Sequence, residues 1–312
     1  MDSDRQINTD ERDAVMADQS ATTNPYETVS GAAMPPALRR TRKVFLLLVR
    51  YALLIALAVA FALPLVWMVS TSLKQESEVM SIPPSFFPSD PQWGNYVTTF
   101  ENIRAFLWNS SYLAVLNASL LLVVASMAAF GFARLSFAGR NIAFSLLLST
   151  AMIPGIVYLI PQYILFRELG WIDTHFPLWV PRVLTPVIGT FLLRQFFKTL
   201  PQDLEDAARI DGASTFEIYW RIMLPQIKPG LAAVGVFTFL ESWNDLFTPL
   251  IFINSIELQT LPVALALYRG EFFTQTNLLM AGATITILPV ILLFMASQKY
   301  FIQGITMSGL KG

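Results

Sequence analysis

Six long apolar runs constrain this chain more than any other feature. They lie at about Phe45 to Val69, Ser111 to Ala133, Ile142 to Phe166, Leu178 to Leu193, Leu231 to Ile251 and Leu278 to Ser297. A bilayer core about 30 Å thick is crossed by roughly 20 apolar residues of helix. Inside it every backbone N–H and C=O must be satisfied within the protein. The runs are continuous and do not alternate, so they predict helices and not barrel strands. Composition agrees: 54% of residues are apolar and 14% charged, against about 25% charge in a soluble domain. Burying six such runs in a soluble bundle would leave too little polar surface. The expected fold is therefore an all-α polytopic membrane protein with six transmembrane helices. Pro154 and Pro161 interrupt the third run, and each removes a backbone donor, so that helix is expected to bend.

Residues 1–43 are polar, mix both charge signs and show no period, which predicts a disordered tail. Orientation follows from the 21 Lys and Arg. With the N-terminus inside, only Lys74, Arg104, Arg167, Arg182 and Arg269 fall outside. Both termini are thus expected to be cytoplasmic, in the cell membrane. A net charge of −1 gives nucleic acid no basic surface. The chain has no cysteine and a single histidine, His175, so thiol chemistry and paired-imidazole sites are excluded. An N-x-S pattern at Asn117 falls within a span and is discarded. The outer stretch from Lys74 to Asn109 is expected to hold a short amphipathic helix around Val97 to Phe106.

The one long cytoplasmic loop, 198–229, is charged and amphipathic. Pro201 suits a first helical turn, and Asp203, Glu205 and Asp206 follow at the positive end of the helix dipole. Leu204, Ala207, Ala208 and Ile210 give an apolar side. Gly212 stops the helix, because glycine enters the left-handed region at low cost. Ser214 through Glu217 form a capping-box pattern that starts a second helix, ended by Pro225 and Pro229. Physics alone divides evenly between a gripped helical hairpin and a solvated connector.

The segment resembles the coupling motif of ABC importer permeases: E-A-A, two residues, D-G, nine residues, I-x-L-P. Here Asp206-Ala207-Ala208 is followed by Asp211-Gly212 and, nine residues on, by Ile222, Leu224 and Pro225, with Asp206 replacing the usual Glu and Glu205 preceding it. Over residues 44–312 the chain most closely resembles the MalG-like permeases of carbohydrate importers, through GIVYLIPQYILFRELGWIDT (155–174), FLESWNDLFTPLIF (239–252) and QKYFIQGITMSGLKG (298–312). The resemblance implies a type I importer permease fold and a sugar such as a di- or oligosaccharide as cargo. It also implies a second homologous permease, two ATP-binding subunits and an extracytoplasmic solute-binding protein. Glu205, Asp206, Ala207, Ala208, Asp211, Gly212, Ile222, Leu224 and Pro225 would then couple the chain to its ATPases. The sequence carries no G-x-x-x-x-G-K-[ST] loop, so no cofactor is expected and ATP is used by the partners.

Glu241 and Asp245, four apart in the fifth run, are expected on one helical face beside Trp243 and Asn244. Acids within a span normally face a bundle interior or water. These four residues either line a sugar pathway or bond between helices, and the sequence leaves both open. Other solutes such as glycerol phosphate, and an ion-coupled carrier, remain alternatives. An intramembrane enzyme would need a catalytic pair that the spans do not supply.

Overall fold

The computed structural model describes the backbone of residues 36–271 and 275–309, with side chains described for 43–267 and 275–300. Most of the described residues are helical, with no strand among them. Most of the tail expected at 1–43 lies outside the described residues, but its end is already helix. Helix α1 (Pro36–Ser72) begins there, well before the expected Phe45. Residues up to Leu63 form one unit and Pro64 onward a second. In the first unit every side chain from Lys43 to Leu63 is exposed, an apolar surface suited to hydrocarbon and not to water.

In the second unit α2 (Glu76–Val79) is a single turn, and α3 (Gly94–Arg134) is a 41-residue helix. The separate amphipathic helix expected at Val97 to Phe106 is thus the first part of α3. Its apolar residues include fully buried Ile103, so it joins the core. Helix α4 (Arg140–Thr150) and α5 (Leu159–Glu168), linked by a 3-10 turn at Gly155–Tyr158, form the third run, bent by 86°. The break comes before Pro154. Pro161 instead sits in the first turn of α5, where no amide is needed, and produces no second break.

The fourth run is α6 (Phe176–Leu184) and α7 (Val187–Thr199), parted at Thr185-Pro186. The loop after it holds α8 (Asp203–Ile210), α9 (Thr215–Glu217), a π-helical segment at Ile218–Met223 and α10 (Leu224–Gln226). This second limb meets α11 (Lys228–Trp243) at 80°. The expected span from Leu231 to Ile251 is interrupted: α11 stops at Trp243 and α12 (Phe247–Phe252) follows. After a 3-10 turn at Ile256–Leu258 come α13 (Leu261–Glu271) and α14 (Thr276–Gly309). Among the described residues four helices are long and apolar enough to cross a membrane, or up to six if each bent pair counts as one span.

Helix α3 is the hub, packing against α6, α7, α11, α13 and α14. Glycines let α7 approach both α3 and α11 closely. A Cβ on Gly189 would stand 3.1 Å from Leu121, and one on Gly230 would stand 2.6 Å from the Phe196 ring. One core cluster runs from the bundle into the loop: Ala125, Ala129 and Phe130 of α3 and Phe197 of α7 pack with Ala208, Ile218, Tyr219 and Met223. The loop is therefore built onto the bundle by burial of apolar surface.

Candidate functional site

Two places gather the residues singled out by the sequence: the elbow formed by α8 to α10, and a cavity beside α11. In the elbow, Gly212 adopts φ +82°, and the α8 terminus closes as a Schellman motif. The Ala213 amide donates to Ala208 O at 2.9 Å and the Gly212 amide to Arg209 O at 3.1 Å. The capping box forms as its pattern predicts. The Ser214 amide donates to Glu217 Oε2 at 3.0 Å, and Ser214 Oγ accepts the Glu217 amide at 3.3 Å. The Tyr219 hydroxyl meets Ser126 Oγ at 2.8 Å, a second polar tie to α3.

The apolar side of α8 is split between core and surface. Glu205 is 2% exposed and Ala208 6%, while Ile210 is 86% exposed, and Leu204 and Ala207 also face outward. The cause is Arg134 at the end of α3. Its Nε lies 3.0 Å from Glu205 Oε1, and its Nη2 donates to the carbonyls of Phe197 and, at 2.6 Å, Leu200. A buried carboxylate needs a paired charge, so Glu205 turns inward and carries the helix round with it. This corrects the expectation for Glu205, which is occupied inside the chain and offers nothing to a neighbour.

Asp206, Ala207, Asp211 and Gly212 face outward, with exposed Phe216 and Trp220 alongside. Among the described residues Asp206 is held only by Arg209, at 3.5 Å. Ile222 and Leu224 are half-buried against the shared core, and Pro225 is exposed in the last turn. Arg134, which organises the motif, escaped sequence reasoning except as one basic residue at a span end.

The cavity, of about 1350 Å³, lies between the bend of the third run, the α6–α7 break and α11–α12. Its walls are mostly apolar, with Thr150, Gln162, Arg182, Thr185, Thr238 and Glu241 as polar points. The four fifth-run residues separate here. Glu241 lines the cavity. Trp243 is 2% exposed and stacks on Phe239 at 5.6 Å in the core, which removes it from the candidate pathway. Asn244 lies beyond the end of α11, donating to Leu240 O at 2.9 Å, and does not line the cavity. Asp245 also lies past the helix end, so it does not share a helical face with Glu241. Arg182 unites the two acids instead, at 3.2 Å from Asp245 and 3.8 Å from Glu241. Asp245 Oδ1 also accepts the Thr248 amide at 3.1 Å, which starts α12.

A third polar cluster fixes the connection before α6. Asp173, at φ +61°, accepts the amides of Asn254 and Ser255 and the Ser255 hydroxyl. The Ser255 hydroxyl and amide, then the Asn254 amide, hold its carboxyl below the usual range. His175 lies between the Tyr112 hydroxyl and Leu258 O.

Bent membrane spans around a large cavity, with a helical elbow packed into the bundle at one end, define a transport permease. The chain belongs to the family described as binding-protein-dependent transport system inner membrane component, whose model matches residues 121–307. It is thus a multi-pass membrane subunit of an ABC importer, in which ATP hydrolysis is the work of other subunits. It is 36% identical to the arabinooligosaccharides transport system permease protein of Bacillus subtilis, over 82% of this chain and 92% of that one. It is 32% identical to the sulfoquinovosyl glycerol transport system permease protein of Agrobacterium fabrum, over 80% and 88%. It is 31% identical to the trehalose transport system permease protein of Mycobacterium tuberculosis, over 84% and 97%. In fold it matches a chain of a bacterial ABC transporter involved in importing the acidic polysaccharide alginate. That match has a TM-score of 0.69 at 22% identity, covering 84% of this chain and 98% of that one.

Proposed function

We propose that this permease conducts a di- or oligosaccharide, with its termini in the cytoplasm. It forms half of the pathway beside a second homologous permease. The elbow sits in a cleft of one of two ATP-binding subunits, and an extracytoplasmic solute-binding protein delivers the sugar. The observation that carries this reading is the outward face of the elbow, from α8 through the π-helical segment. Ile210, Phe216 and Trp220 are left bare beside Asp203, Asp206 and Asp211, on an elbow anchored in the bundle core. Large apolar side chains rimmed by charge mark an interaction surface, and its acids suit a partner groove carrying basic groups. The relatives named above support a sugar as cargo. The cavity agrees, since hydroxyl, amide and carboxylate points among apolar walls suit a polyol. Glycerol phosphate would call for free cations, and Arg182 is already shared between two acids.

The test is reconstitution in proteoliposomes with the permease, ATPase and binding-protein products of neighbouring reading frames. ATP-dependent uptake of labelled oligosaccharide is expected. Uptake driven by an ion gradient without the ATPases would overturn the reading.

A further inference from the structure

We infer that Arg134 and Glu205 form an internal lock that makes the elbow and α3 move as one body. Arg134 is then a positioning residue for energy coupling. The inference rests on the proposed reading of the elbow as the ATPase contact. It concerns the step after that contact: how a displacement of α8 reaches the bundle.

The lock joins three elements at one guanidinium. Arg134 is the last residue of α3, and its side chain is 10% exposed. Nη2 donates to the carbonyls of Phe197 and Leu200, at the end of α7. Nε faces Glu205 Oε1, and the Glu205 side chain is 3% exposed. The second carboxylate oxygen reaches Arg209 on the same helix at 3.6 Å. Among the described acids of α8, Glu205 alone is buried; Asp203 and Asp206 face outward. The two kinds of acid therefore divide the work. The outer ones are free for a partner and the inner one ties the helix to the bundle.

The geometry favours transmission through α3 over transmission along the chain. The covalent route from α8 into α11 passes through Gly212, a π-helical segment and an 80° bend. The route through Arg134 enters directly a helix of 41 residues that packs on α6, α7, α11, α13 and α14. Lysine at 134 would keep the charge. It lacks the planar fork needed to hold two carbonyls and a carboxylate together.

The experiment uses the complete reconstituted importer, comparing Glu205→Gln and Arg134→Lys with the unaltered complex. Uptake and ATP hydrolysis are measured on the same vesicles. Both variants are expected to hydrolyse ATP within about threefold of the unaltered complex while sugar moved per ATP falls about tenfold or more, because the engine runs but its stroke no longer reaches α3. Unchanged sugar per ATP in both variants overturns the lock. Failure of the unaltered complex to show ATP-driven uptake overturns the proposed function instead.

A second measurement serves if the variants do not assemble. The chain has no cysteine, so Met127→Cys on α3 and Thr215→Cys on the elbow supply two label sites in an otherwise unaltered chain. Their spin-label distance is expected to stay constant with and without ATP. A distance that changes through the cycle overturns the lock.

Discussion

Arg182 Nη2 and Asp245 Oδ2 lie 3.2 Å apart and so tie the break between α6 and α7 to the break between α11 and α12. Both side chains are mostly shielded, at 18% and 16% exposure, whereas Glu241 is 69% exposed and more distant. Two interruptions that would each weaken a span thus support one another. Asp245 adds the capping bond to Thr248.

Asp245→Ala should therefore cost about 2 kcal/mol, since it strands Arg182 and removes the cap. Glu241→Ala should cost under about 0.5 kcal/mol, because an exposed, long ion pair contributes little. Thermal unfolding in detergent distinguishes them. Equal losses would mean that Arg182 is not held chiefly by Asp245.

Gly212→Ala forces a Cβ into the left-handed region and should destabilise the elbow by about 1–2 kcal/mol, with the chain still inserted. Gly212→Pro goes further, since it cannot reach φ +82° and loses the amide bonded to Arg209 O. Co-purification with the ATP-binding subunits is expected to survive the alanine and fail with the proline.

Asp206→Lys reverses an exposed charge and should leave the chain's own stability within about 0.5 kcal/mol. ATP hydrolysis stimulated by the assembled importer should fall several-fold. Unchanged hydrolysis would place this acid outside the ATPase contact.

Acid should release the Asp173 clamp. Its carboxyl is held below the ordinary value of 3.8 by Ser255 first and Asn254 after it. A lowered pKa gives stability that is full above the unfolded value and lost as the pH falls through the folded one. Asp173→Asn tolerates the same backbone conformation. It should be less stable than the parent at neutral pH, with the gap closing only as the pH falls below the ordinary carboxyl value of 3.8 and through the lowered one. A gap that persists in acid would assign the clamp to shape and not to charge.

Features of the elbow that depend on neighbours in sequence were legible. The Gly212 stop and the Ser214 to Glu217 capping box follow from residues within a turn of one another. The direction in which Glu205 points was not, because it is set by Arg134 on a distant helix. Periodicity marked an apolar side on α8 without saying where it faces, and one buried ion pair leaves Leu204, Ala207 and Ile210 facing outward. The fifth run failed for a related reason. Its apolar residues continue past Trp243, but Asp245 is drawn to Arg182 and caps α12, so the helix is divided. Pro154 and Pro161 show the limit of composition. The same residue type breaks a helix at one position and begins one at the other.

The bare Ile210, Phe216 and Trp220 have a consequence for how such a subunit is made. A copy synthesised in excess of its companions would carry a greasy knob into water, and chaperones and proteases read such knobs as damage. Balanced production of all the components would spare the cell that loss.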